Sequence, residues 1–377
     1  MKIGIEAQRI FRTHKHGMDM VVLELIKNLQ QIDTKNEYFI FVNPDDDRSC
    51  FQPTANFNLI EVKKSSYPMW EQYYLSKAAK KLKLDLLHCT SNTAPVKCPV
   101  PLMITLHDII YLEGKSHIAA GTWYQRLGNI YRIWNVPKVF KHSKKVITVS
   151  EFERQNILKY FHCTNDKVDT VYNGVSEHFK PQEASVINSV KKQFNLPDNY
   201  LLFLGNTAPK KNLKGVLQAL KILHAQNKLH IPVVMPDFGS DYLNKMLKDL
   251  GAENLAPFIH LTGYIPNNQL PGVYAGAAAF LYPSLRESFG LPILEAMACG
   301  CPVITSNNSS MIEIAADAAL LIDPFKPEEI AEALEKILNQ QQLTAELIEK
   351  GKARAVQFSY RKGAEKVLSL YKQLVNQ

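Results

Sequence analysis

The chain has 377 residues, 46% of them hydrophobic, so it can bury a sizeable core and is expected to form two domains. Its net charge of +8 is concentrated in residues 1–177, and so modest an excess without a nucleic-acid-reading motif argues against nucleic acid as a partner. The six cysteines show no Cys-x-x-Cys spacing and Glu6 precedes any long apolar segment, so we expect free thiols, no signal peptide, no membrane-spanning helix and a cytoplasmic location.

Short apolar runs alternate with amphipathic stretches of helical length along the first half of the chain. Strands are predicted at 3–5, 38–42, 86–88, 103–106 and 146–149, and helices at 18–30 and 68–82. Ser150 follows the last of these strands and is expected to cap the next helix at its N-terminus. This alternation is typical of parallel sheets wrapped by helices.

The second predicted helix combines aromatic residues with lysines. Its aromatic residues are Trp70, Tyr73 and Tyr74, and its lysines are Lys77, Lys80, Lys81 and Lys83. Two interpretations stay open at this point. The helix contacts anionic lipid head groups at the inner face of the membrane, or it presents a solvated lysine face over a buried aromatic stripe, which is the commoner arrangement.

The strand pattern restarts after the polar stretch 176–199. Strands are predicted at 201–204, 232–235, 258–261, 278–282 and 303–305. We therefore expect an α/β fold of two doubly wound, Rossmann-like domains, residues 1–176 and 177–355, with a C-terminal helix, 356–377, packing back toward the first domain. Two such domains facing one another place the carboxyl ends of both sheets at a cleft, where ligands of such sheets bind.

A loop and a helix start follow the strand predicted at 278–282. Proline suits the first position of a helix, so this helix is expected to begin near Pro292 and to end before its cap, Gly300. Glu287 then lies in the loop, and Glu295 lies about one turn inside the helix.

The backbone amides of Phe289, Gly290 and Leu291 are expected at the positive end of that helix dipole, which suits a phosphate or diphosphate. Glycine at 290 lets a ligand approach the main chain closely. Glu287 and Glu295 would flank this anion site and accept hydrogen bonds from sugar hydroxyls. For the pair taken alone a simpler alternative stays open, in which Glu295 stabilises the helix electrostatically and Glu287 is a solvated loop charge.

These residues resemble a known family. Gly263-Tyr264-Ile265, Glu287-Ser288-Phe289-Gly290-Leu291-Pro292 and Glu295-Ala296-Met297-Ala298-Cys299-Gly300 are similar to the donor half of retaining glycosyltransferases of family 4, which have the two-domain GT-B fold. Further matches occur in the family's order at Gly17, His107-Asp108, Val149-Ser150-Glu151-Phe152, Asn173-Gly174-Val175 and Pro209-Lys210-Lys211-Asn212-Leu213. The resemblance covers nearly the whole chain.

The resemblance implies that His107, Lys211 and Glu287 are the catalytic residues. Lys211 would pair with the diphosphate of a nucleotide-sugar donor and offset charge on the leaving group. His107 would contact the donor sugar near its reacting carbon, and Glu287 would bind sugar hydroxyls.

The donor-binding residues implied by the resemblance are Gly17, Lys210, Tyr264, Ser288, Phe289, Gly290, Leu291 and Glu295. Gly17 would let its loop approach the phosphates, Tyr264 would lie where the nucleotide base packs, and Glu295 would bind the ribose. Many members carry an arginine shortly before the lysine, but the stretch 204–208 contains no cation, so Lys210 is the candidate to replace it.

No metal cofactor is expected, because the lysine and the helix dipole would take its place. Asp45-Asp46-Asp47 has the Asp-x-Asp spacing by which another glycosyltransferase fold holds a divalent ion, but it follows an exposed turn far from every donor motif. His14-Lys15-His16 is better explained as a loop than as a metal site.

The function implied is retaining transfer of a hexosyl group from a nucleoside diphosphate sugar to a hydroxyl of a glycan or glycolipid acceptor. Leu86-Leu87-His88 and Thr105-Leu106-His107-Asp108 resemble mannosyltransferase-like members that build surface polysaccharides, which favours GDP-mannose over a UDP-hexose. Alternatives are a sugar-nucleotide epimerase or phosphorylase on the same fold, and a non-catalytic nucleotide-sugar binding protein. The acceptor site would be built by first-domain loops such as 112–124, and peripheral membrane contact would involve the basic first domain.

Overall fold

The structure, a computed structural model, describes residues 1–13, 15, 17–63, 65–113, 123–205 and 207–376. The chain forms two compact units, one of Met1–Gly174 with Tyr360–Gln377 and one of Val175–Ser359. The sequence predicts the boundaries between these parts of the chain after residues 176 and 355. Within the described ranges, each helix is too short or too polar to cross a lipid bilayer.

The first domain contains a seven-stranded parallel sheet with the order β3-β2-β1-β4-β5-β6-β7. Its strands are β1 Lys2–Glu6, β2 Glu37–Val42, β3 Phe57–Glu61, β4 Leu86–Cys89, β5 Leu102–Thr105, β6 Lys145–Thr148 and β7 Val168–Thr170. The strand order reverses between β1 and β4. Ligands of open parallel sheets bind beyond the carboxyl ends of the strands at such a switch point.

Helices cover this first sheet. They are α1 Gly17–Ile32, α2 Tyr67–Met69, α3 Ser76–Leu82, α4 Trp123–His142 and α5 Glu151–Phe161, with a π-helix, Trp70–Leu75, joining α2 to α3. The predicted cap of α5 is confirmed, because Ser150 Oγ accepts a hydrogen bond from the backbone N–H of Glu153 at 3.2 Å. The aromatic stripe is buried at Trp70 but 52% exposed at Tyr73.

The second domain contains a six-stranded parallel sheet with the order β10-β9-β8-β11-β12-β13. Its strands are β8 Leu201–Phe203, β9 Val233–Met235, β10 Ile259–Leu261, β11 Ala279–Tyr282, β12 Val303–Ser306 and β13 Leu320–Ile322. Its helices are α6 Ala184–Gln193, α7 Leu213–Ala225, α8 Ser240–Asp249, α9 Leu270–Ala275, α10 Leu291–Ala298, α11 Ser309–Ala315, α12 Pro327–Asn339 and α13 Gln341–Val356. Here the strand order reverses between β8 and β11.

The core of the second domain lies between its sheet and helices such as α7 and α12. Val216 and Leu220 of α7 and Ile330 and Leu334 of α12 are fully buried at helical spacing. Each such side chain contributes roughly 1.5–3 kcal/mol of transfer free energy, and together they fix the helix that follows β8 against the sheet.

The last helix, α14 Tyr360–Val375, belongs to the first domain. It buries Ala364, Val367 and Tyr371 in the same core as α1. The hydroxyl of Tyr371 is also hydrogen-bonded to His88 Nδ1 at 2.7 Å. The first domain is therefore completed by a segment that follows the whole second domain in the sequence.

Candidate functional site

Lys211 and Glu287 meet at the switch point of the second sheet. Lys211 ends a 3₁₀ turn, Pro209–Lys211, after β8, and Glu287 lies in the loop after β11. The Lys211 ammonium lies 2.6 Å from Glu287 Oε1 and donates to the hydroxyl of Tyr282 at 2.8 Å. The two side chains are only 16% and 9% exposed, so this is a largely buried ion pair.

Two lysines act on the Glu287 carboxylate. Burial pushes the pKa of Glu287 upward, but the ammonium groups of Lys211 and Lys210 outweigh it and hold that pKa below its usual range. Lys210 Nζ lies farther away, 3.8 Å from Oε2, on an exposed side chain. Glu287 therefore accepts hydrogen bonds at neutral pH and is poorly suited to donating a proton.

Asn212 ties the lysine turn to the glutamate loop. It has a left-handed backbone, with φ of 60°, and caps α7 by accepting from the Gly215 N–H at 3.2 Å. Its amide Nδ2 donates to the carbonyl oxygens of Pro283 at 3.0 Å and Pro324 at 2.7 Å. The turn that carries Lys211 is thus held in place by the hydrogen bonds that the neighbouring Asn212 donates to main-chain carbonyls.

Two serines of α11 hold the glutamate loop from the other side. The Glu287 N–H donates to Ser309 Oγ at 3.2 Å. Ser310 Oγ donates to the carbonyl oxygens of Glu287 at 2.8 Å and Phe289 at 3.0 Å. Both serines, Tyr282 and the tethering role of Asn212 are absent from the site predicted from the sequence. The polar stretch directly after β12 was the available signal for the serines.

Helix α10 begins at Leu291, one residue before the expected Pro292. Gly290 precedes it with φ of 99°, a left-handed conformation that other residues rarely adopt. The Phe289 side chain is buried, with its ring 5.9 Å from that of Phe358, whereas Ser288 is half-buried. Phe289 therefore contributes packing through its side chain, and its predicted contact with a donor would involve the main chain.

Glu295 lies in the second turn of α10 and is partly exposed. The Tyr274 hydroxyl donates to its Oε2 at 3.0 Å. Burial raises the pKa of Glu295 to about 7, against the lowering effect of that hydrogen bond. Tyr264, which follows β10, is 57% exposed, so it is not a core residue and its ring is accessible to a ligand.

His107 is buried at the carboxyl end of β5 in the first domain. Its Nε2 lies 2.9 Å from the carbonyl oxygen of Thr90, and its backbone N–H donates to Asn92 Oδ1 at 2.6 Å. A carbonyl only accepts, so the network assigns the proton to Nε2 and leaves Nδ1 as the acceptor. Burial lowers the pKa of His107, so the ring is neutral.

Gly17 is the first residue of α1. A Cβ placed there would meet nothing within 4 Å among the described residues, so the space beside it is open. The described part of the chain contains no group of three or more His, Cys, Asp or Glu able to hold a metal ion. Asp47 of the Asp-x-Asp motif pairs with Lys15, while His14, His16, Asn206 and most of the 112–124 loop lie outside the described residues.

Two family models match the chain. "Glycosyltransferase Family 4" matches residues 16–179, and "Glycosyl transferases group 1" matches residues 187–354. The first match contains His107 and the second contains Lys211, Glu287 and Glu295. Together the two models account for most of both domains.

Two curated relatives are O-antigen mannosyltransferases. The chain is 32% identical over 236 residues to O-antigen chain mannosyltransferase B of Escherichia coli, covering 62% of this chain and 61% of that protein. It is 29% identical over 242 residues to O-antigen chain mannosyltransferase RfbU of Salmonella typhimurium, covering 63% and 62%. The chain thus spans under two thirds of the length of these relatives, and only 34% of the E. coli serotype-specific mannosyltransferase WbdA.

Solved structures match over the full length. A glycosyltransferase from Rickettsia africae has a TM-score of 0.74 at 17% identity, covering 99% of this chain and 98% of its own. Anabaena Alr3699/HepE, solved in complex with UDP and glucose, has a TM-score of 0.75 at 17% identity and covers 99% of both chains. At this identity the likeness concerns the fold.

Proposed function

The chain belongs to glycosyltransferase family 4 and has the GT-B fold, and on that premise we propose that it transfers a hexosyl group from a nucleoside diphosphate sugar to a hydroxyl of a glycan or glycolipid acceptor. The observation that carries this proposal is the pair of Lys211 and Glu287 at the switch point of the second sheet. A buried ammonium suits a diphosphate, and an ionised carboxylate suits sugar hydroxyls.

Donor binding would redistribute the contacts of Lys211. Its ammonium would bind the diphosphate, together with the amides at the start of α10, and would stabilise the charge that develops as the sugar leaves. Glu287 would keep its charge and accept hydrogen bonds from the sugar. Glu295 would bind the ribose. We propose same-face attack with retention of configuration, in which the departing phosphate takes the proton of the acceptor hydroxyl.

The proposed donor is GDP-mannose, with a UDP-hexose as second choice. The names of the O-antigen relatives support mannose, whereas the Anabaena structure contains UDP. The proposed role is synthesis of a surface polysaccharide in the cytoplasm, at the inner face of the membrane where a lipid-linked acceptor is presented. The exposed ring of Tyr73 with Lys77 Nζ 5.7 Å from its centroid supports peripheral membrane contact there.

The transfer is proposed to need no metal ion, because Lys211 and the α10 N-terminus supply the positive charge that a divalent ion would otherwise bring. Calorimetric titration with GDP, UDP, GDP-mannose and UDP-glucose, each with and without EDTA, tests this. We expect one nucleotide series to bind equally well in both conditions. Binding that disappears in EDTA would contradict the metal-independent site.

A matched pair of variants locates the site. Lys211→Ala should weaken nucleotide binding at least tenfold, since it removes the buried cation that would contact the diphosphate. Lys214→Ala removes an exposed lysine three positions farther along the chain, in α7, and should leave binding unchanged. Equal affinities of the two variants would show that the diphosphate binds elsewhere.

A further inference from the structure

A buried carboxyl group lies outside the proposed donor site, in the first domain. Glu71, in the π-helix, is 1% exposed. Its Oε1 accepts hydrogen bonds from the Tyr131 hydroxyl at 2.6 Å and from Gln72 Nε2 at 2.9 Å. Its Oε2 accepts from Thr93 Oγ1 at 2.5 Å. These partners are all neutral, and π-helical turns occur frequently at functional sites.

The hydrogen bonds around Glu71 fix two aromatic rings. When Glu71 is ionised, the hydroxyl of Thr93 gives its single proton to the carboxylate, so the Tyr67 hydroxyl donates to Thr93 Oγ1 at 2.7 Å. The Tyr131 hydroxyl donates directly to Glu71. One buried carboxylate therefore sets the positions of Tyr67, on α2, and of Tyr131, on α4.

Tyr67 and Tyr131 belong to a row of three aromatic side chains that ends at the exposed Trp134. The Tyr67 and Tyr131 ring centroids lie 5.8 Å apart, and those of Tyr131 and Trp134 lie 5.7 Å apart. Trp134 is 46% exposed, and Lys138 Nζ lies 4.1 Å from its ring centroid. The row thus begins at Tyr67, which is hydrogen-bonded through Thr93 to the buried Glu71, and ends at the exposed indole of Trp134. It presents apolar ring faces next to polar groups.

An arginine with unused donor capacity lies at the inner end of this row. The Arg9 guanidinium is 5.2 Å from the Tyr67 ring centroid. Its Nε is buried and has no hydrogen-bond partner among the described residues. A buried donor without an acceptor is costly, so this position favours a ligand that brings oxygen atoms.

The row lies at the ligand-binding edge of the first sheet. Arg9 follows β1 and Thr93 follows β4, the two strands that flank the switch point of this sheet. The loop of residues 90–94 contacts both His107 and Glu71. Thr90 and Asn92 form hydrogen bonds with His107, and Thr93 forms one with Glu71. The aromatic row is therefore joined through one short loop to the histidine predicted to contact the donor sugar.

We propose that Arg9, Tyr67, Tyr131 and Trp134 form the acceptor subsite, which binds a terminal hexose of a saccharide, and that Glu71 is its positioning residue. Aromatic faces suit the C–H faces of a pyranose, and the guanidinium donates to its hydroxyls. The inference rests on the proposed glycosyl transfer and names residues for its acceptor side, for which the sequence predicts only that loops of the first domain such as 112–124 contribute.

A saccharide fits these residues better than a lipid surface does. Tyr67 and Tyr131 are half-buried and hydrogen-bonded, and the unsatisfied group at the inner end of the row is a polar donor. The exposed apolar residues Leu127 and Ile130 of α4, which would suit a bilayer, lie about two turns and one turn before Trp134 on the same face of the helix, but they take no part in the hydrogen bonds around Glu71. The membrane alternative is included in the test.

Saturation-transfer NMR on the full chain tests the subsite, with the methyl glycosides of mannose, glucose, galactose and N-acetylglucosamine as probes. We expect transfer to at least one probe and a roughly fivefold or greater weakening in Trp134→Ser and Arg9→Met, the loss expected for one good contact. Tyr160→Ser removes another exposed ring of the first domain and should change nothing. Equal transfer to wild type and Trp134→Ser would overturn the subsite.

The positioning role of Glu71 has its own readout. Glu71→Gln keeps the shape and can still bond both hydroxyls, so it should bind the best probe within about twofold of wild type. Glu71→Ala releases Tyr67 and Tyr131 and should weaken binding as much as Trp134→Ser does, with unchanged nucleotide affinity. If Glu71→Ala loses the calorimetric melting transition of the first domain, its effect is general unfolding and the positioning role is wrong.

Two parallel measurements separate the possible failures. Nucleotide binding with no transfer to any glycoside would overturn the subsite and leave the proposed function standing, whereas absence of both would overturn both. Sedimentation with vesicles of phosphatidylcholine containing phosphatidylglycerol detects the membrane alternative. If Trp134→Ser loses vesicle binding while no glycoside binds, the row is a membrane contact and the saccharide proposal is wrong.

Discussion

At the scale of single residues, the main electrostatic contact of the candidate site is the largely buried ion pair of Lys211 and Glu287. Removing one member of such a pair leaves an uncompensated charge, which typically costs about 3–5 kcal/mol. The geometry on which the proposed contact with a diphosphate depends thus also makes each residue depend on the other for stability. Loss of activity in a single variant therefore has two possible causes that must be separated.

A double variant separates them. Lys211→Ala should lower the melting temperature of the second domain, because Glu287 stays buried without its main partner. Lys211→Ala combined with Glu287→Gln removes both charges and should recover most of the lost stability by differential scanning calorimetry, yet stay inactive in sugar transfer. A double variant that melts no higher than Lys211→Ala would show that the pair does not couple the two residues.

Glu71 predicts a pH dependence of stability. Burial raises the pKa of Glu71 to about 7 from an ordinary value of 4.5, partly opposed by its hydrogen bonds and reinforced by the nearby Glu6 carboxylate. The folded state then binds the proton more tightly than the unfolded state does. The stability that this proton provides is complete below about pH 4.5 and is lost as the pH rises through 7, at about 1.4 kcal/mol per pKa unit.

Glu71→Gln should therefore melt close to wild type at pH 5 and above wild type at pH 8, where only the wild type carries the buried charge. Calorimetry at the two pH values measures the difference. Glu295 has a similarly raised pKa but is unchanged in both proteins, so it cancels. The same shift in melting temperature at both pH values would contradict the raised pKa.

The sequence predicted the charged site residues better than their supports. Lys211 and Glu287 stand in motifs that resemble a family, and the structure brings them together. The contact of Tyr282 with Lys211 could not be predicted, because Tyr282 ends an apolar run that indicates only a strand. Asn212 and Ser310 act by bonding main-chain carbonyls brought close by the fold, and such contacts leave no spacing in the sequence.

At the scale of elements, long apolar runs between helices predicted strands well. Three strands escaped prediction: β3 Phe57–Glu61, β7 Val168–Thr170 and β13 Leu320–Ile322. All three lie at the edges of their sheets, where one-sided pairing tolerates shorter and more polar segments. The π-helix within the helix predicted at 68–82 was equally invisible, because apolar periodicity does not reveal a single extra residue in a turn.

Helix α14 offers a test at this scale. Its Tyr371 hydroxyl bonds His88 Nδ1, and Thr105 Oγ1 occupies His88 Nε2 at 2.8 Å. Burial lowers the pKa of His88 to about 3, so the ring is neutral and relies on both hydroxyls. Tyr371→Phe leaves one ring nitrogen unpaired and should destabilise the first domain by about 1–3 kcal/mol.

Chemical denaturation of Tyr371→Phe, with Tyr160→Phe at an exposed position as control, measures this cost. We expect an earlier transition for the first-domain unfolding of Tyr371→Phe alone. Identical transitions for the two variants would mean that α14 is held by apolar packing without help from the hydrogen bond.

At the scale of the whole molecule, each domain repeats one arrangement. At one point in each sheet the strand order reverses between two neighbouring parallel strands. The loops that follow these two strands carry the polar residues, which are Lys211 and Glu287 in the second domain and Arg9 and Thr93 in the first. Alternating strands and helices predicted this architecture. The partners of each loop required the structure, because they come from segments up to 112 positions apart.

The central claim is that Lys211 supports transfer of a sugar from a nucleotide without a metal ion. Its most direct test is the rate of sugar transfer, followed by mass spectrometry of the product, for wild type, Lys211→Ala and Lys214→Ala in EDTA. We predict that wild type and Lys214→Ala turn over equally and that Lys211→Ala is slower by roughly a hundredfold or more. Equal rates for wild type and Lys211→Ala, or no turnover by wild type until a divalent ion is added, would contradict the account.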